Sequence, residues 1–171
     1  MILRALLLAA AALATASAAA AAPAPAFKLT SPAFRAGGAI PVVYTCKGKS
    51  RSPGLHWTKP PASTASLALE IVDPDAPVPG GFQHWLGWGL KPTARTQPPG
   101  KKLPVEGANG TGKPGYVGPC PPSGNHHYHF TLYALDAPLM LAGGSDRTAF
   151  HAAIRGHVLA RARLVGTFAA T

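Results

Sequence analysis

Three separate stretches of this chain carry side chains whose types and spacing could do chemistry. The first is Asp73-Pro74-Asp75-Ala76-Pro77. Its two prolines fix φ at two positions and remove two backbone donors, which makes a rigid turn that presents carboxylates. Such a carboxylate must be paired, hydrogen-bonded or wet. The plainer alternative is an aspartate that only caps its own turn. The second stretch is His84, seven residues beyond Pro77 and next to Trp85. A histidine there can serve a polar site or simply pack. The third is GYVGPCPPSGNHHY, residues 115–128. Its glycines let backbone approach a ligand, its prolines stiffen the wall, and its amides could form a nest for an anion. If the following segment is a strand, His126, Tyr128 and Phe130 share one face, and His127 and His129 take the other. His126 and Tyr128 would then act together as donors to a bound oxyanion.

The elements that must position these groups are mostly strands. Gly and Pro each number 19 and are spread through the chain, which argues for short strands and turns rather than a helical bundle. Residues 66–72 (SLALEIV) alternate: Leu67, Leu69 and Ile71 on one face, Ala68, Glu70 and Val72 on the other. This strand runs straight into the Asp73 turn. Residues 84–90 and 128–135 read as two more strands, and residues 40–45 (IPVVYT) as a further one with proline near its start. Residues 27–34 begin extended, and residues 55–57 are a short extended piece. Residues 97–109 read as a long, basic loop rich in Pro and Gly. Between 146 and 162, Phe150, Ala153, Ile154, Val158, Leu159 and Ala162 approximate helical spacing, with Gly156 as a break. One or two short helices are expected there, with Asp146 as N-cap, followed by a strand over 163–168.

The amino terminus reads differently from the rest. Arg4, an apolar core from Leu6 to Ala14, and Ala16-Ser17-Ala18 fit a secretory signal peptide. The leader is expected over residues 1–22, with cleavage between 18 and 26, and a single domain over 27–171. The chain is therefore expected in the periplasm or outside the cell. Its 171 residues carry 16 Lys and Arg against 6 Asp and Glu, a net charge of +10. That surface attracts anions, yet the basic residues are scattered and no nucleic-acid module is present, so nucleic acid is not an expected partner. Cys46 and Cys120 would meet an oxidising compartment, where a pair often forms a disulfide. Two buried thiols are the alternative.

The turn DPDAP, the histidine of HW and the segment GANGTGKPGYVGPCPPSGNHHYHF, in this order, resemble the phosphatidylethanolamine-binding protein family. That family is also called the Raf kinase inhibitor family, and this chain is similar to its bacterial and archaeal (YbhB/YbcL-like) subgroup. The likeness extends to IPVVYTCKGKSRSPGLHW and AIRGHVLARARLVGTFA, nearly the whole chain after the leader. It implies a mainly β fold, a large antiparallel sheet packed on a smaller one, with one or two short helices near the carboxyl end. It also implies a small anion pocket made by Asp73, Ala76, Pro77, His84, Cys120, Pro121, Pro122, His126 and Tyr128. Cys120 stands where many relatives have glycine, which narrows that wall or diverts the residue into a disulfide. Gly110-Thr111 replaces an acidic–aromatic pair common in relatives.

The function that follows is non-enzymatic binding of a small anion, phosphate or phospholipid head group such as phosphoethanolamine. The resemblance further implies protein partners of protease or kinase type, and a homodimer among the assemblies. Protease inhibition or another protein interaction, acting through residues 97–109, is the alternative. A hydrolase is disfavoured, since no GxSxG elbow exists and no motif places a serine as nucleophile. Parity splits His126 from His127 and His129, which argues against one compact metal site. No cofactor is expected.

Overall fold

The computed structural model describes residues 26–170. The leader expected over residues 1–22 lies outside them. The described chain forms two antiparallel sheets and one α-helix. The strands are β1 (Leu29–Thr30), β2 (Leu55–Trp57), β3 (Ser66–Asp73), β4 (Phe82–Leu90), β5 (Thr96–Gln97), β6 (Val105–Glu106), β7 (Asn125–Leu135) and β8 (Val158–Ala169). The helix is α1 (Arg147–Ala153). The large sheet has the order β6-β4-β3-β7-β8, and the small one β1-β2-β5.

Alternation along the strands sorts the two faces. Leu67, Leu69, Ile71, Trp85, Tyr128, Phe130, Leu132 and Leu164 turn inward and meet Leu29, Leu55 and Trp57 of the small sheet. On the other face Ala68, Leu86, Trp88, Tyr133 and Leu135 are covered by Phe150 and Ile154 from the helical segment. Both faces of β3 are therefore buried, as a central strand with a continuous apolar run requires. Helix α1 starts at Asp146, whose side chain accepts from the Ala149 backbone N–H at 2.8 Å.

Three expectations need correction. Residues 40–45 are not a strand, because residues Val42–Tyr44 make a single 3-10 turn closed by Tyr44 N–H to Pro41 O and Thr45 N–H to Val42 O. Ile40 is instead tied to the edge of β8 through Thr167 O. Of the one or two short helices expected near the carboxyl end, one forms, over Arg147–Ala153. Val158, Leu159 and Ala162 belong to β8, where apolar residues matched a helical period by coincidence and pairing with β7 decided the outcome. The stretch 97–109 is not a bare loop. Gln97 pairs in β5, Leu103 is buried, and β6 pairs with β4.

Candidate functional site

The Asp73 turn is built by its own first residue. Asp73 ends β3 and is 3% exposed. Its Oδ1 accepts the backbone N–H groups of Asp75 (2.9 Å) and Ala76 (3.1 Å). These are the donors that a turn between two prolines would leave unpaired. Its Oδ2 accepts Nδ1–H of His126 at 2.7 Å. The same carboxylate therefore caps its turn and orients an imidazole. Asp75 repeats the contact outside. Its Oδ2 accepts both the backbone N–H (2.7 Å) and Nδ1–H (2.8 Å) of His127. Those hydrogen bonds hold the Asp75 carboxyl below its usual range.

Strand β7 pairs with β8 in unbroken register through this region and is joined by β3 from His129 onward, so parity holds. His126 and Tyr128 are buried, while His127 is exposed and His129 half-buried. Tyr128 is 0% exposed and stands edge-on to His84, with ring centroids 5.1 Å apart. Its hydroxyl makes no normal hydrogen bond. Burial, then the negative charge of Asp73, pushes its ionisation up.

His84 reaches the same face through an irregularity. On β4, Gln83 pairs with Val72 and Trp85 with Ile71, so His84 is an extra residue opposite a continuous β3. Such a bulge re-aims side chains. Trp85 joins the inner core while His84 contacts Tyr128 and Phe82 (centroids 4.8 Å). Nδ1–H of His84 donates to Val117 O at 2.7 Å, which fixes the ring. Burial holds the imidazole below its usual range, more than the Val117 carbonyl and the Asp73 charge can offset.

The third wall is the loop preceding β7. A disulfide joins Cys46 to Cys120 with Cα atoms 5.4 Å apart, and Cys46 N–H donates to Pro119 O. Gly118 N–H donates to Ser50 Oγ at 2.9 Å, and a Cβ on Gly118 would lie 2.8 Å from that oxygen. Gly110 is pressed likewise on the Phe82 ring, where a Cβ would come within 2.5 Å. The Asn109 side chain organises this turn by accepting from Thr111 N–H and donating to Gly115 O.

These walls enclose a cavity of about 190 Å³. Asp73, Ala76, Pro77 and Val78 come from the turn, and Phe82 and His84 from β4. Val117, Gly118, Cys120, Pro121 and Pro122 come from the loop, and His126 from β7. Every residue expected from the sequence lies on this wall except Tyr128, which sits behind His84. Val78 and Phe82 were not expected, and Val117 and Gly118 were covered only as part of the 115–128 segment. Phe82 flanks recognised motif residues, which was the only sequence signal for it. His84 and His126 both spend Nδ1 on protein acceptors, so Nε2 is the nitrogen each can offer to a ligand. His127 and His129 do not join them.

Comparison with known proteins agrees with this architecture. The family model for phosphatidylethanolamine-binding protein matches residues 30–169. A UPF0098 protein of Methanothermobacter thermautotrophicus is 42% identical over 147 residues, which cover 82% of this chain and 97% of that one. LppC of Mycobacterium tuberculosis, which carries a lipoprotein's name, is 44% identical over 148 residues, 82% of this chain and 71% of its own. Among solved structures, the phosphatidylethanolamine-binding protein homolog CT736 from Chlamydia trachomatis superposes with a TM-score of 0.82 at 37% identity. That match covers 85% of this chain and 99% of CT736. YbcL of E. coli, described as a member of the mammalian PEBP family, gives 0.80 at 26% identity over the same shares. None of these four names is an enzyme's. With its family model matched from strand β1 to strand β8, this chain belongs to the phosphatidylethanolamine-binding protein family.

Proposed function

We propose that this protein is an exported, non-catalytic binder whose cavity takes a small phosphate-like anion, with phosphoethanolamine as the fitting head group. One observation carries the reading. Two imidazoles, each locked by Nδ1, border a cavity of about 190 Å³ with both Nε2 atoms unspent. A cationic imidazole donates Nε2–H and forms a strong, charge-assisted bond to an oxyanion. A neutral one accepts instead, from a protonated phosphate oxygen or a ligand ammonium. The family's name and the charge of +10 support an anionic ligand. Asp73 supports an ammonium-bearing one, since a carboxylate beside the anion site suits the opposite end of phosphoethanolamine.

The absence of a positioned nucleophile favours binding over turnover. Asp73 is committed to two backbone amides and His126, and among the described residues no serine lines the cavity and both cysteines are joined in a disulfide. The leader-like amino terminus and the lipoprotein name of LppC support export.

Calorimetric titration of the purified protein with phosphate and phosphoethanolamine tests this reading. Saturable binding is expected, weakened at least about tenfold by His84→Ala or His126→Ala. Binding unaffected by both variants, or no binding of either compound, refutes it.

A further inference from the structure

The outer face of the large sheet carries a second cationic cleft. It has a volume of about 260 Å³ and is walled by β3, β7, β8 and α1, with Pro74 and Gly80 at its rim. Parity places His129, Thr131 and Tyr133 of β7 on this face, opposite Val165, Arg163 and Arg161 of β8. Arg147 and His151 reach it from α1, and Arg155 lines the adjoining hollow with Arg161.

Its charge is not balanced from within. Glu70, 4% exposed, is the sole carboxylate on the cleft wall. It is already engaged, accepting from Tyr133 Oη–H (2.8 Å), Arg147 Nε–H (2.9 Å) and His151 Nε2 (3.0 Å). The other five acids are used elsewhere. Asp73 and Asp75 hold His126 and His127, Asp136 holds His157, Asp146 caps α1, and Glu106 accepts from Trp85. Among the described residues Arg155, Arg161 and Arg163 enter no ion pair. Arg161 and Arg163 project from the same face two residues apart, roughly 7 Å along the strand. Arg161 is further steadied over the Tyr133 ring at 5.5 Å. Guanidinium groups bind phosphoryl oxygens in a bidentate manner, and a spaced pair suits two phosphoryl groups in one ligand.

We propose that this cleft is a second anion site, independent of the Asp73–His84–His126 cavity, for a soluble ligand with two or more linked phosphoryl groups. A concave wall favours a ligand that enters it, whereas a lipid surface calls for apolar side chains set to insert. A second basic hollow is lined by Lys49, Arg51, Lys101 and Lys102. Its cations come from loops, which position ligands less strictly than a strand and a helix do.

The test is calorimetry of the full protein with tripolyphosphate and with orthophosphate. Four variants are compared: Arg161→Gln/Arg163→Gln, Arg155→Gln, Lys101→Gln/Lys102→Gln and His84→Ala. Unchanged melting temperatures confirm that each is folded. Tripolyphosphate affinity is expected to fall at least about tenfold in the Arg161/Arg163 double variant and a few-fold in Arg155→Gln. It should stay within about twofold in the lysine and His84 variants. The affinity lost to the arginine substitutions should concern tripolyphosphate and not orthophosphate. Retained binding in the arginine double variant overturns the proposal, as does loss in the lysine variant alone. Arginine-dependent binding to phosphatidylglycerol vesicles without tripolyphosphate binding also overturns it.

Discussion

Asp73 Oδ2 and His126 Nδ1 lie 2.7 Å apart, and this bond ties the end of β3 to the start of β7 across the cavity wall. Because Oδ1 of the same carboxylate holds two backbone amides of the turn, turn geometry and imidazole orientation are set by one side chain. Removing it should disturb both. Asp73→Ala leaves two part-buried N–H groups and a buried imidazole without acceptors, at a cost of about 3 kcal/mol. Asp73→Asn keeps an acceptor for the amides and should cost roughly half as much. Urea denaturation of the two variants measures the difference, and equal losses would contradict the dual role.

The outer copy of this contact should matter far less. Asp75 and His127 are both exposed, so His127→Ala is expected to cost less than about 1 kcal/mol. The depressed Asp75 carboxyl adds stability that is present above the ordinary carboxylate range and is lost as pH falls below about 4. Exposure makes that contribution small. Melting curves for wild type and His127→Ala between pH 7 and pH 3 should converge at the acid end.

His84 gives a separate pH window. Its folded-state value is depressed by burial, so the unfolded chain binds the proton more readily. Stability without ligand should therefore be full above about 6.5 and decline as pH falls below that value. A bound oxyanion reverses the preference by favouring the cationic ring. Phosphate binding should then take up a proton and tighten as pH falls from neutrality, as calorimetry in buffers of different ionisation enthalpy would record. Affinity that weakens toward acid would exclude His84 as the anion's donor.

The Cys46–Cys120 bond closes a separation of 74 residues. In the chain-entropy model that is worth about 4 kcal/mol. Reduction, or a double Cys→Ser variant, should lower the denaturation midpoint strongly. Its effect on ligand affinity should be smaller, because Cys46 N–H to Pro119 O and Gly118 N–H to Ser50 Oγ still hold the loop against its neighbour.

A Cβ at position 110 would strike the Phe82 ring. Gly110→Ala should cost about 1–3 kcal/mol and weaken binding as Phe82 shifts on the cavity wall. Near-native stability with unchanged affinity would mean that this wall yields freely.

What could be read from the sequence followed from where a simple period holds. The DPDAP turn and the division of His126 and Tyr128 from His127 and His129 were legible, because β7 keeps an unbroken register against β8 there. His84 was legible only as a motif residue. Its inward aim comes from a bulge opposite Ile71 and Val72, and no local pattern announces which residue a pairing will leave extra. Residues 40–45 look like a strand by their β-branched content. Turn bonds from Pro41 and Val42 close them instead, with Ile40 docked on β8. Helical spacing near Val158 was overruled by eleven paired positions along β7 and β8. The Asn109 turn packs Gly110 on Phe82 and so shapes a wall the motifs did not name.

The most direct test of the binding cavity is a nitrogen-15 spectrum of the histidine rings during titration with phosphoethanolamine. Nε2 of His84 and His126 should shift in a saturable way, while the rings of His127 and His129 stay in place. Shifts confined to the outer histidines, or no imidazole shift at saturation, would contradict a phosphate site between His84 and His126.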